Sequence, residues 1–163
     1  SLEQAMVRLG RDGLRQWLTL MLFSSKSGEL DAALREAAFT RARLVESLAQ
    51  GACTRAECEQ AFLVGLLSLL DVLFQMPLAE ALQNLALPEA VTDALLNRSG
   101  KFANYLNLAV ACEKGYEGAV EELAKECGLK SEQVNDKHLS ALSWALEFTD
   151  TLDELDKAGG MPG

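Results

Sequence analysis

Ala61-Phe62-Leu63-Val64-Gly65-Leu66-Leu67-Ser68-Leu69-Leu70-Asp71 is the stretch that decides the fold of this chain. Apart from Gly65, Ser68 and Asp71 it is apolar, and that character continues to Phe74. A helix that is apolar on nearly every side belongs in the middle of a bundle. The run is shorter than the ~20 residues a membrane span needs, so a central core helix is the reading. Its start is marked upstream. Thr54-Arg55-Ala56-Glu57 is a capping box, in which Thr54 accepts from the Glu57 amide and Glu57 reaches back. The pattern predicts one helix from there to Phe74. Gly65 and Ser68 stand one turn apart, so a second helix can approach closely at that point.

Outward from this helix the chain reads as further helices. Ser1 caps a short one over residues 2–9, ended by Gly10. Leu14, Trp17, Leu18 and Met21 recur at spacings of three and four and predict a second over 11–23. A long helix over 29–50 carries Leu30, Leu34, Ala37, Ala38, Arg41, Leu44, Val45 and Leu48 along one stripe. Arg41 is the odd member of that stripe. Arg35, Glu36, Arg43 and Glu46 define its exposed side. Pro77 and Pro88 suit first helical positions and predict short helices over 77–85 and 88–97. Phe102, Tyr105, Leu106, Ala109 and Cys112 mark the next, closed by Gly115. Tyr116, Ala119, Val120, Leu123 and Cys127 mark another, closed by Gly128. The last helix, 131–156, aligns Val134, His138, Leu142, Ala145, Phe148, Leu152 and Leu155 on one face. The Gly/Pro-rich residues 158–163 read as a disordered tail, which leaves 1–157 as one helical domain.

Composition agrees. The chain has 163 residues, 49% of them hydrophobic, with Leu and Ala dominant and no Ile. That favours helices over a large sheet. The formal net charge of −9 opposes binding to phosphate backbones and to anionic membrane surfaces, so neither nucleic acid nor membrane is an expected partner. No signal peptide is visible at Ser1-Leu2-Glu3-Gln4. Cys53, Cys58, Cys112 and Cys127 form no CxxC pair and read as reduced thiols of a cytoplasmic protein rather than zinc ligands.

Other polar residues have ordinary readings. His138, the single histidine, lies on an apolar helix face and reads as structural. One histidine also excludes any centre that needs several imidazoles. Ser68 lacks the flanking glycines of a nucleophile elbow, and its hydroxyl is expected to bond a carbonyl one turn back. Asp71, toward the end of its helix, needs a basic or donor partner if buried. Arg41 and Arg43 are the natural candidates, forming a structural polar cluster with it. Glu121-Glu122 and the acidic residues from Asp150 to Asp156 read as solvated faces. Trp17 and Trp144 read as core or partly exposed.

Several stretches together resemble the HDOD family, the HD-related output domain of bacterial signalling proteins, in the version fused to an EAL domain. They are Leu2-Glu3-Gln4-Ala5, Leu9-Gly10, Leu14-Arg15-Gln16-Trp17, Thr40 through Glu46, Phe62 through Asp71, Leu85-Ala86-Leu87-Pro88, Ala94-Leu95-Leu96 and Glu113-Lys114-Gly115. In HD-type phosphohydrolases the run after Gly/Ala-Leu-Leu is His-Asp, and that pair binds the catalytic metal. Here Gly65-Leu66-Leu67 leads to Ser68-Leu69. A hydroxyl and an aliphatic chain do not replace imidazole and carboxylate as ligands.

The resemblance implies a compact all-α bundle of the HD/HDOD type without metal, cofactor or catalytic residue, with Ser68 and Leu69 at the vestigial HD positions. The family usually has further helices before the Leu9-Gly10 region, so the chain reads as the C-terminal part of a longer protein. The implied function is regulation through protein contacts, with an EAL domain that degrades or senses cyclic di-GMP, with another signalling protein, or with a second copy as a homodimer. Two alternatives stand beside it. One is a nucleotide sensor whose pocket Ser68, Asp71 and Arg41 would line. The other is a metal-dependent phosphohydrolase.

Overall fold

The computed structural model describes residues 28–83 and 85–157. The helices predicted over 2–9 and 11–23 and the tail at 158–163 lie outside the described residues. Within them the chain is helical, with no strand. In chain order the elements are α1 (Gly28–Ala49), α2 (Arg55–Leu67), α3 (Leu70–Phe74), α4 (Leu78–Ala81), α5 (Glu89–Thr92), a π-helical turn (Asp93–Asn97), α6 (Ala103–Lys114), α7 (Glu117–Glu126) and α8 (Ser131–Lys157).

α2 begins as its sequence dictates. The Glu57 amide donates to Thr54 Oγ1 at 3.2 Å, and the Thr54 amide donates to Glu57 Oε1 at 3.0 Å. Two of the orphan amides at the helix start are thereby satisfied. From Ala61 to Leu67 every residue is buried, so this half of the quoted stretch is the core of a bundle. α2 packs chiefly on α1, and α1 also packs on α8.

Side-chain size sets how close α1 and α2 come. A Cβ on Gly65 would lie 2.6 Å from Ala42 Cα and 2.6 Å from the Arg41 carbonyl oxygen. No side chain fits there, so the close approach expected at Gly65 is present and glycine is what allows it. On the neighbouring face Phe39, Phe62, Trp144 and Phe148 join α1, α2 and α8. Phe39 meets Phe148 edge-on at 5.2 Å, Phe62 meets Trp144 edge-on at 6.2 Å, and Trp144 stacks on Phe148 at 4.9 Å. Such pairs add about 0.5–1.5 kcal/mol beyond burial.

Two sequence expectations need correction. The helix predicted from Thr54 to Phe74 is broken. α2 ends at Leu67, Ser68 caps it, and Leu69 (φ −108°, ψ 7°) redirects the chain into α3. Val72 and Phe74 consequently reach the surface. Apolar character alone does not distinguish a helix that continues through a core from one that turns out of it. The side of α1 predicted as exposed is also incorrect. Glu46 is 5% exposed and Arg43 donates to its carboxylate at 2.7 Å. A buried charge is tolerated when paired in this way. Arg43 also lies over the Trp144 ring, 5.5 Å from its centre. The helix predicted over 88–97 runs as α5 and then widens into the π-helical turn, where the Arg98 amide reaches back to the Asp93 carbonyl.

Gly65→Ala should destabilise the domain by about 1–3 kcal/mol, because the intruding methyl meets backbone and not a flexible side chain. Thr54→Ala should cost about 1 kcal/mol through the lost cap. Urea unfolding of both variants should place Gly65→Ala below Thr54→Ala in midpoint; the reverse order would mean that the α1–α2 crossing adapts freely.

Candidate functional site

The break between α2 and α3 falls on Ser68-Leu69, the pair singled out by sequence, and polar side chains gather there. Ser68 is 9% exposed. Its hydroxyl donates to the Gly65 carbonyl at 2.7 Å and accepts from Arg41 Nη1 at 3.1 Å. The other face of the Arg41 guanidinium grips Glu113 of α6 in a two-point bridge. Nε donates to Oε1 at 2.9 Å and Nη2 to Oε2 at 2.5 Å. The Arg41 side chain is 11% exposed and that of Glu113 25%.

The placement has an electrostatic logic. Ser68 caps the C-terminal end of α2, and Glu113 stands in the last turn of α6. Both helix ends carry partial negative charge, which favours a cation and disfavours the Glu113 carboxylate. Arg41 supplies one cation to both ends and neutralises Glu113. A forked guanidinium does this better than an ammonium, because three of its N–H groups are aimed at once.

Asp71 and Arg98 stand beside this bridge. Asp71 Oδ1 is buried and has no hydrogen-bond partner. Arg98, in a left-handed backbone conformation (φ 50°), donates to Asn107 Oδ1 at 2.8 Å. Partial burial and the nearby Arg41 charge lower the Arg98 pKa, and Asp71 opposes that shift. Arg41 and Asp71 therefore belong to one electrostatic neighbourhood, joined by Arg98. Neither Arg41 nor Arg43 hydrogen-bonds Asp71: Arg41 is turned to Ser68 and Glu113, and Arg43 to Glu46 and Trp144. Sequence reasoning missed Glu113 and Arg98. Neither was singled out as a site residue, and no local signal links Glu113 to a residue 72 positions away.

His138 lies on α8, half-buried beside Glu113 and Thr40 in the groove between α1 and α8. The four cysteines are free thiols. Burial raises the pKa of Cys58, with Cys53 adding to it, and of Cys112, with Glu113 adding to it. Partial burial and the adjacent Glu126 carboxylate push Cys127 up to about 11. Tyr105 is raised by burial and by Cys53, Cys127 and Cys58 around its hydroxyl. Among the described residues, no three His, Cys, Asp or Glu side chains are placed to hold one metal ion, and no helix is long and apolar enough to cross a membrane.

Comparison with known proteins gives relatives by sequence. The chain is 32% identical over 148 residues to the cyclic di-GMP phosphodiesterase CdgJ of Vibrio cholerae, covering 91% of this chain and 34% of that protein. It is 28% identical over 153 residues to the uncharacterized protein YuxH of Bacillus subtilis, covering 92% of this chain and 37% of that protein. The chain thus spans about a third of the length of the curated relatives it matches. No family model matches it, and no solved structure does. The chain is homologous to one part of a cyclic di-GMP signalling protein.

Arg41→Met should cost about 1–3 kcal/mol, since it leaves Glu113 unpaired at a helix C-terminus. In a double-mutant cycle with Glu113→Gln the two losses should not add; additive losses would mean that the bridge carries no coupling. A pH series checks the thiols. Cys127 keeps its proton to about pH 11 in the fold against an ordinary 9.0. Between those values the folded state binds more protons than the unfolded, so stability should be full below pH 9 and fall as pH rises toward 11. Cys127→Ala should flatten that decline. Alkylation of Cys127 at pH 8 should be on the order of a hundredfold slower than that of a free thiol, as two pKa units dictate.

Proposed function

We propose that this chain is an HDOD-type regulatory domain. In this reading it works in the cytoplasm through contact with other protein domains, chiefly an EAL domain that handles cyclic di-GMP, and performs no catalysis itself. One observation carries it. By the sequence resemblance Ser68 and Leu69 stand at the positions of an HD enzyme's His-Asp pair, and the Arg41 guanidinium lies 3.1 Å from Ser68 Oγ. A fixed positive charge beside the position repels a divalent ion, and neither side chain offers a metal ligand. The match to a third of CdgJ supports the signalling context.

A regulatory domain needs an element with two arrangements whose balance a partner biases. The α2–α3 joint suits that part. It is short, it is held to α6 through Arg41 and Glu113, and it leaves the buried Asp71 oxygen without a partner. A partner that repacks α3 would alter the joint and, through Arg41, the position of α6. The same Asp71 oxygen, with Arg41 and Arg98 near it, favours a second reading. In it, a nucleotide occupies the joint, with its phosphates on the two arginines and a base or ribose donor on Asp71.

The test replaces the matching third of CdgJ with this chain and follows hydrolysis of cyclic di-GMP by the chimaera. Hydrolysis should persist and should change at least severalfold when Arg41→Met loosens the joint. The chain by itself, supplied with Mn²⁺ or Mg²⁺, should turn over no nucleotide. Metal-dependent turnover by the isolated chain, abolished in Asp71→Asn, would overturn the proposal. Melting shifts with a nucleotide panel, lost in Arg98→Met, would select the sensor reading.

A further inference from the structure

The groove between α1 and α8 is lined by polar groups of which Glu113 alone belongs to the bridge at the joint. It encloses about 410 Å³. Its α1 wall is built from Ala33 and Ala37, one turn apart, whose small side chains leave the space open. Thr40 continues that wall. It is 4% exposed, and its hydroxyl has no hydrogen-bond partner. A helical threonine usually satisfies that hydroxyl on the carbonyl one turn back, so its free state here is unusual. Glu36, on the rim, forms no ion pair among the described residues. Glu113 enters from α6, and its oxygens, each bonded once to Arg41, retain lone pairs for a further donor. Opposite them His138 lines the same space with no hydrogen bond among the described residues.

The groups that await partners are therefore the Glu36 carboxylate and the buried Thr40 hydroxyl, and beside them the Glu113 carboxylate, already bridged to Arg41, has acceptor capacity left. Beside them lies an apolar shelf. Leu139, Leu142 and Leu146 of α8 are 64%, 36% and 50% exposed, at the three- and four-residue spacing of one helix face. Acceptors at the end of an apolar shelf suit a cation on an aliphatic stem, and the chain's net charge of −9 attracts one from a distance.

We propose that this groove is a binding site for a guanidinium or ammonium group carried on an apolar stem. The cation hydrogen-bonds Glu36, Glu113 and Thr40, and the stem rests on Ala37 and Leu142. A free alkyl amine and an arginine or lysine presented by a partner helix share that chemistry. The site shares Glu113 with the bridge at the α2–α3 joint but uses neither Ser68 nor Asp71, and it stands whether or not the regulatory reading does.

Two probes separate the sources. One is agmatine; the other is a short helical peptide with a single arginine and leucines one turn to either side. Each is titrated into the whole chain and followed by amide NMR shifts. Saturable shifts on α1 and α8 with agmatine identify a free cation as sufficient. Saturation by the peptide alone assigns the site to a partner's side chain. Either result supports the site when Glu36→Gln weakens binding about tenfold, Ala37→Leu removes it by filling the wall, and Glu89→Gln, on the exposed start of α5, changes nothing. Circular dichroism melts of the variants show that each is folded, and Glu36→Gln covers the case in which Ala37→Leu is not. No saturation by either probe up to on the order of 10 mM, or equal affinity in Glu36→Gln, overturns the proposal.

Discussion

A missing side chain holds this structure together. At Gly65 the backbone of α2 meets the backbone of α1 at Arg41 and Ala42 with no room for a methyl group. The contact fixes how far apart the two central helices run, and it fixes which residue of α1 faces the end of α2. Arg41 reaches Ser68 because its own carbonyl is already in contact with the helix that Ser68 caps. A larger residue at 65 would push α1 away and draw the guanidinium out of range. The aromatic group of Phe39, Phe62, Trp144 and Phe148 then fills the wider gap where α8 joins the pair. Packing of this density transmits displacement and does not absorb it.

Given that contact, Arg41 has a defined electrostatic task. Two helix C-termini converge on it, one from α2 and one from α6, and the second carries an added carboxylate at Glu113. Removing a guanidinium from water costs several kcal/mol, and an apolar side chain would avoid that cost. Three charge-assisted or polar hydrogen bonds and two helix ends offset it. The arrangement is therefore best understood as specifying geometry: it fixes where α6 sits against the α2–α3 joint. Asp71 shows the opposite condition. One of its oxygens is buried without a partner, so the joint keeps a local deficit that a change in packing or a bound donor relieves.

Much of this was legible in the sequence, and the remainder divides by range. The all-helical class, the capping box at Thr54, the close approach at Gly65 and the glycine closing α6 depend on residues a few positions apart, which a sequence displays directly. The Ser68 hydroxyl's return to the Gly65 carbonyl is of the same kind. What escaped depends on partners distant in the chain. Arg41 was visible as a charge on an apolar stripe, but its partner Glu113 belongs to another helix. Glu46 looked solvent-facing because a period of 3.6 assumes that one side of a helix meets water, whereas α1 is covered by both α2 and α8. The break at Ser68-Leu69 escaped because every residue around it is a competent helix former. The turn is imposed by the helices that surround it.

The break also connects fold and function. A continuous helix through Ser68-Leu69 would carry Val72 and Phe74 deeper into the bundle, and both are instead exposed on α3. The Arg41 guanidinium holds the end of α2 from the side of α1 and α6, and Leu70 is the one buried residue of α3. A segment with exposed apolar side chains and a single buried residue is weakly held to the core, and that is what the proposed regulatory role requires of it.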